Sequence, residues 1–296
     1  MTLVDAERAE ALYAAMGPGT EVSGGTAANT AAGLASFGAS VGFVGRVRDD
    51  QLGEVFAHDI RAIGVEFDTP PASDGAPTGR CLIVVTPDAQ RTMSTFLGAA
   101  SQVGPEDIDA DTVRRATITY LEGYLFDQPE AKDAFREAAR LAHDAGNQVA
   151  LTLSDSFCVD RHRADFLDLV EHGVDVLFAN ENEICALYEV DVFDAALSHV
   201  RGHCEIAALT RSEKGSVVVA GEEVHVIGVH PVAEVVDTTG AGDQYAAGFL
   251  RGLTGGKDLE TCGRLGALAA AEVISHLGAR PETSLADLAR AELAVG

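Results

Sequence analysis

Positive charge is what this chain lacks most. It holds only three lysines, Lys132, Lys214 and Lys257, and its 21 basic residues stand against 46 acidic ones, for a net charge of −25. Arginine carries the rest of the positive charge, a bias that genome composition and salt adaptation would each produce. No basic patch exists to hold a nucleic acid or an anionic membrane, so both are excluded as partners. An anionic substrate would have to be met by local donors against a repelling overall field. No apolar run approaches the ~20 residues that a membrane span requires. The first residues, "MTLVDAERAEALYAAM", read as an amphipathic helix containing acids, and a signal peptide would begin with basic residues and an apolar core. The five cysteines are scattered without a Cys-x-x-Cys pair, a pattern of reduced thiols that predicts a cytoplasmic protein. The P-loop pattern G-x-x-x-x-G-K-[ST] is missing, as are internal repeats and low-complexity tracts.

What is present is a globular composition, 47% hydrophobic and 23% charged, with enough apolar material for a substantial core. From Tyr120 onward strand-like and helix-like segments alternate. "TITYLEGYLF", "QVALTLSD", "VDVLFAN" and "EIAALTRS" read as strands, and "PEAKDAFREAARLAHDAG", "DRHRADFLDLVEHG", "NEICALYE" and "FDAALSHVRGH" as helices. This alternation predicts a mostly parallel sheet covered by helices on both faces. "GSVVVAGEEVHVIGV" predicts a hairpin around Gly221, and two helices follow. In the first third, "ASVGFVGRV" reads as a strand and "DQLGEVFAHDIRAIG" as a helix. Residues 65–96 alternate β-type runs with turn signals such as Pro70-Pro71 and Asp74-Gly75. The expected organisation is one α/β domain over 1–296 with a small β-sheet lid, its strands drawn from roughly 17–24 and 62–97.

Four clusters have the residue types of a ligand site. In "DTTGAGDQYAAGFL" (237–250), Gly240 and Gly242 let a ligand approach the main chain. A helix starting there exposes unpaired N–H groups and its positive dipole end, which together suit an anion. Asp243 would compete with that anion unless it serves a second reactant by taking its proton. A plain strand–turn–helix corner reads equally well from this stretch alone. In "SGGTAANTAAGLASFG" (23–38), Asn29 follows a glycine turn in the first turns of a helix, where it suits a hydroxyl-bearing ligand or serves an ordinary helix start. "FANENEI" (178–184) crowds Asn180 and Glu183 at the end of an apolar strand, where parallel sheets bind ligands. Glu183 there is suited to hydrated Mg²⁺, the alternative being a capped helix start. "LTRSEKG" (209–215) brings Thr210 and Gly215 to a strand end where a nucleotide could approach.

The ordered set "GGTAAN … FVG … NENE … LTRSEKG … DTTGAGD" resembles the PfkB carbohydrate-kinase family, also called ribokinase-like, over essentially the whole chain. "LEGYLFD" and "AAAEVISHLGA" bring it nearest to the bacterial adenosine-kinase branch. The resemblance implies a three-layer ribokinase-like fold and ATP-dependent phosphorylation of a hydroxymethyl group on a nucleoside or sugar, with adenosine first. Ribose, fructose or sugar-acid phosphorylation, or non-catalytic binding, are the rivals. It implies Asp243 as general base, Gly240, Ala241 and Gly242 as the anion hole, and Arg91 as a lid arginine that meets the phosphate. Gly25 and Asn29 would contact the substrate, Asn180 and Glu183 would arrange Mg²⁺ and its waters, and Thr210 and Gly215 would line the ATP site. K⁺ is a further candidate cofactor and a homodimer through the lid a further candidate assembly. Three departures stand out: Arg48 and Ser212 occupy glycine positions of the family, and no match appears to its leading strand with a sugar-binding Asp. The last departure predicts weak substrate binding, a tendency to associate, and a reading frame beginning some ~30 residues upstream.

Overall fold

A computed structural model describes residues 1–86 and 91–293. Four strands, β4 (Ile118–Glu122), β5 (Gln148–Thr152), β6 (Val176–Asn180) and β7 (Ile206–Thr210), run parallel side by side. Antiparallel β8 (Ser216–Ala220) and β9 (Glu223–Ile227) extend the sheet, giving the order β4-β5-β6-β7-β8-β9. The β8–β9 hairpin turns at Gly221, whose φ is +56°.

The alternation of side chains along each strand explains why both faces are covered. In β5, Val149 and Leu151 enter one core and Ala150 the other. The first core lies under α5 (Pro129–Asp144), α6 (Ser156–His172), α7 (Glu181–Tyr188) and α8 (Phe193–Val200), and is filled by Phe126, Phe135, Phe166, Ile184 and Leu187. The second lies under α9 (Ala241–Thr254) and α10 (Leu259–Val273), with Phe178, Tyr245 and Phe249 at its centre. Helices α9 and α10 approach closely because Gly248 faces the Leu265 carbonyl, where a Cβ would come within 2.3 Å. Helix α2 (Thr26–Ser36) packs on α9 in the same way, with Gly33 against Gln244.

A second sheet projects from the first, built from β1 (Thr2–Leu3), β2 (Arg80–Val85) and β3 (Arg91–Phe96) in the order β1-β3-β2, with α1 (Ala6–Ala15) packed on it. β2 and β3 fall within the expected lid range of 62–97, of which residues 87–90 lie outside the described residues. Residues 17–24 hold no strand, and the lid takes its third strand from residues 2–3 instead. The expected strand over "ASVGFVGRV" does not form either. That segment makes only isolated bridges, Gly42 with Glu66 and Arg48 with Ala72. Phe43 anchors it by packing against Phe56 of α3 (Gln51–Ala62) and against Phe67. Two helices were not anticipated, α4 (Ala110–Arg115) and the final α11 (Leu285–Glu292). Among the described residues no helix is long and apolar enough to cross a membrane.

Candidate active site

The carboxyl ends of β4 to β7, the start of α9 and the lid enclose one cleft of about 2990 Å³. The residues predicted for the site from sequence converge there: Gly25, Asn29, Arg91, Asn180, Glu183, Thr210, Gly215, Gly240, Ala241, Gly242 and Asp243 line it.

The floor is the turn into α9. Gly240 is the N-cap of that helix with φ +82°, a left-handed conformation that glycine adopts without penalty. A Cβ at Gly240 would strike Ala279 at 2.7–2.8 Å, whereas one at Gly242 would meet nothing within 4 Å and would enter the cleft. The two glycines thus do different work: Gly240 lets the turn close, and Gly242 keeps it open to a ligand. No side chain caps α9. The N–H of Ala241 reaches the Thr238 carbonyl at 3.3 Å, while those of Gly240, Gly242 and Asp243 have no partner among the described residues. That set of free donors at a helix start fits an anionic group such as a phosphate.

Asp243 sits in the first turn of α9. Its Oδ2 accepts a 2.9 Å hydrogen bond from Nδ2 of Asn29, which is 5% exposed on α2, and Oδ1 has no partner among the described residues. Burial raises the Asp243 carboxyl to about 6, opposed by the Asn29 hydrogen bond and by the charge of Arg91. A carboxylate held there is a competent proton acceptor near neutral pH. Asn29 Oδ1 has no partner among the described residues either, so a second acceptor lies beside the carboxylate in the cleft wall. Gly25, with φ +101°, caps α2 and receives the Asn29 N–H on its carbonyl at 2.7 Å. Arg91 opens β3 of the lid and donates from Nη1 to the hydroxyl of Thr238, joining the lid to the turn that precedes the free amides.

Asn180 ends β6 and caps α7. Its side chain accepts from the Glu183 N–H at 2.9 Å, and Glu183 accepts from the Asn180 N–H at 2.9 Å, closing a capping box. Glu183 is 6% exposed, and burial lifts its carboxyl to about 7. Among the described residues no group of three or more His, Cys, Asp or Glu could hold an ion directly. Glu183 lines the same cleft as the free amides of α9, and one carboxylate there fits an ion such as Mg²⁺ that keeps most of its waters. Thr210 ends β7 in register with Asn180 on the neighbouring strand. Gly215 has φ +82° and leaves no room for a Cβ, which would come within 2.0 Å of the Ile227 carbonyl. Ser212, at φ +52°, adopts the left-handed backbone for which glycine is better suited. Arg48 shows no positive φ, so the turn it occupies accepts a side chain.

One carboxylate in the cleft went unnoticed in the sequence. Glu122, at the end of β4, is 7% exposed. Burial, reinforced by the charge of Asp243, pushes it up to about 8. Its Oε1 accepts from the Ser154 hydroxyl and its Oε2 has no partner. The available signal was a lone acid closing an apolar strand, the same position relative to the sheet that Asn180 occupies. Cys158, next to this region, is buried, and burial raises its thiol to about 12, so it carries no thiolate.

The sequence matches the pfkB family carbohydrate kinase over residues 6–285. The chain belongs to that family. It is 55% identical to the adenosine kinase from Sinorhizobium meliloti, with a TM-score of 0.96 over 98% of this chain and 89% of that one. It is 51% identical to a probable sugar kinase protein from Rhizobium etli, with a TM-score of 0.97 over 100% of this chain and 90% of that one. Arabidopsis thaliana ribokinase, solved with ribose and ATP, is 27% identical with a TM-score of 0.76, covering 90% of this chain and 86% of that one. This pfkB kinase therefore has the ribokinase-like α/β fold, a mostly parallel six-stranded sheet with a small separate mixed sheet. It is an ATP-dependent phosphotransferase acting on a hydroxyl group.

Proposed function

We propose that this pfkB kinase phosphorylates the hydroxymethyl group of a nucleoside, with adenosine as the acceptor. The observation that carries the reading is the pairing of Asp243 with the free amides of its own helix start: one group that takes a proton beside others that hold an anion. Asp243 Oδ1 accepts the hydroxyl proton as the oxygen forms its bond to the γ-phosphorus and the bond to the β–γ bridging oxygen breaks. The amides at Gly240, Gly242 and Asp243 hold the phosphoryl oxygens whose charge develops in that step. Arg91 adds positive charge from the lid side, and Gly242 keeps the approach clear. Asn29 fixes Asp243 and offers Oδ1 to a substrate hydroxyl, with Gly25 forming the adjoining turn. Glu122 Oε2 is a further acceptor on the opposite wall. Asn180, Thr210 and Gly215 border the nucleotide side. Glu183 would hold hydrated Mg²⁺, which would neutralise charge on the phosphate.

Adenosine is favoured by the 55% identity to an enzyme described as adenosine kinase. A ribose, fructose or sugar-acid acceptor is the rival, favoured by the likeness to a probable sugar kinase and to a ribose-bound ribokinase. A coupled ADP-release assay over a panel of nucleosides and sugars, with Mg²⁺ and K⁺ varied in turn, separates them. The adenosine reading fails if a sugar supports turnover and adenosine does not. We further propose cytoplasmic placement, supported by five free cysteines, and a homodimer through the lid, supported by exposed Leu3 and Val84 on it. Light scattering that gives a monomer mass at working concentration removes the dimer.

A further inference from the structure

The buried Glu122 carboxylate has an anchor that the reaction scheme above does not use. Ser154 follows β5 in a three-residue turn closed by the Asp155 N–H on the Leu153 carbonyl at 2.8 Å, with φ +68° at the serine. That geometry is rare and strained for any residue with a side chain, and strain of this kind persists only where surrounding structure holds it. Asparagine or glycine would occupy the turn at lower cost. The serine hydroxyl donates to Glu122 Oε1, with the Thr152 carbonyl as a weaker second acceptor at 3.3 Å. Asp155, the next residue, caps α6 by accepting from the Phe157 N–H at 2.8 Å, so the turn cannot shift without disturbing that helix start. Glu122 in turn brings a second oxygen, more than nine-tenths buried and without a geometric hydrogen-bond partner among the described residues, to the cleft that holds Asp243 and Asn29, where the Thr26 hydroxyl is the other group that favours its charged form.

We propose that Ser154 is a positioning residue for the phosphoryl acceptor: its strained turn and hydroxyl hold the Glu122 carboxyl so that Oε2 meets a substrate hydroxyl next to the one being phosphorylated. This rests on the reading of the cleft as a hydroxyl-phosphorylating site. Ser154 itself touches no substrate and acts only through Glu122. Removing the hydroxyl takes away the anchor of Glu122 Oε1, so acceptor binding weakens while the nucleotide side is untouched.

The test is a double-mutant cycle of Ser154→Gly and Glu122→Gln. Glycine suits the left-handed turn, so Ser154→Gly removes the hydroxyl without straining the backbone, and circular dichroism with thermal unfolding confirms the fold. The loss of a hydrogen bond to the Glu122 carboxyl predicts that KM for adenosine and its calorimetric Kd rise by roughly three- to tenfold. KM for ATP stays within twofold. Adding Ser154→Gly to Glu122→Gln costs no further affinity, because the residue acted through the one already changed. Ser154→Asn, which tolerates the same backbone and restores a donor, recovers part of the loss. An unchanged acceptor KM in Ser154→Gly, or effects of the two changes that multiply, overturns the role of Ser154 while leaving the kinase reading intact. A wild-type protein that neither binds nor phosphorylates any nucleoside or sugar overturns both.

Discussion

Asp243 carries two opposed demands, and they can be measured separately. As a base it must be ionised, and as a buried group it is penalised for being so. Asp243→Asn keeps the shape and removes the proton acceptor, so kcat falls by ~10²–10⁴, the usual worth of a positioned base, with ATP binding retained. With Asp243 raised to about 6 and Glu183 to about 7, wild-type kcat/KM rises as pH increases through 6 to 7, and the step near 6 is missing in Asp243→Asn. Folding stability runs the other way. A carboxyl whose folded pKa lies above its unfolded value of 3.8 contributes stability below about pH 4, and that contribution is lost as pH rises through about 6. Asp243→Asn is therefore more stable than wild type at pH 8, by on the order of 1–3 kcal/mol, and gains little at pH 4. Thermal unfolding at the two pH values checks this. A loss of stability at pH 8 would mean that the aspartate is a structural partner of Asn29 more than a base.

At the scale of elements, the start of α9 separates structural from functional glycine. Gly240→Ala must place a Cβ against the Ala279 backbone in a left-handed turn. The conformation alone costs ~1–2 kcal/mol, and the clash adds to it. A Cβ at position 242 meets nothing within 4 Å, so the side chain of Gly242→Val is expected to project into the cleft, where the proposed phosphate would sit. This variant should unfold near the wild-type temperature and lose turnover by ~10²–10³, the worth of a displaced oxyanion donor. Equal Tm losses in the two variants would mark the turn as purely architectural. The capping box of α7 allows a similar separation. Glu183→Gln can still accept the Asn180 N–H but loses the acceptor for Asn180 Nδ2, so thermal unfolding is followed beside activity. The neutral amide attracts hydrated Mg²⁺ less, and the Mg²⁺ concentration for half-maximal rate rises several-fold. An unchanged Mg²⁺ titration takes Glu183 out of the site.

The same element scale shows what was legible in sequence and what was not. β5 to β9 and α5 to α8 were readable because each is a local pattern, such as "QVALT" buried on both faces or "AKDAFREAARLAHD" with one apolar stripe. "ASVGFVGRV" carries an equally good local pattern and still makes only isolated bridges, because a strand depends on a partner whose position the segment does not encode. The lid strand at residues 2–3 was missed for the converse reason, being too short to show any period. In the site, Asp243, Asn29 and the glycines were readable from their clustering in short motifs. Glu122 was not, because what marks it is burial in the same cleft as Asp243, whose charge acts on it, a relation between residues far apart in the chain.

For the whole molecule, the net charge of −25 matters most for encounter. The nucleotide arrives as an anion, and the long-range field opposes it until the amides and Arg91 take over at short range. Screening that field with an inert salt such as choline chloride shortens the range of repulsion, from a Debye length of ~30 Å at 0.01 M to ~10 Å at 0.1 M. kcat/KM for ATP should therefore rise about two- to tenfold over this interval, while kcat/KM for neutral adenosine changes little. A fall with added salt would show that a local positive field, and not the overall charge, governs nucleotide approach.

The central claim is that Asp243 and the helix start it occupies transfer phosphate from ATP to a nucleoside hydroxyl. The most direct measurement is adenosine-dependent ADP release by the full chain with Mg²⁺, run beside Asp243→Asn, with ATP binding followed by calorimetry in both. The account predicts turnover in wild type, a loss of at least ~10²-fold in the variant, and the same ATP affinity in each. Acceptor-dependent ADP release that persists at the wild-type rate in Asp243→Asn would contradict it.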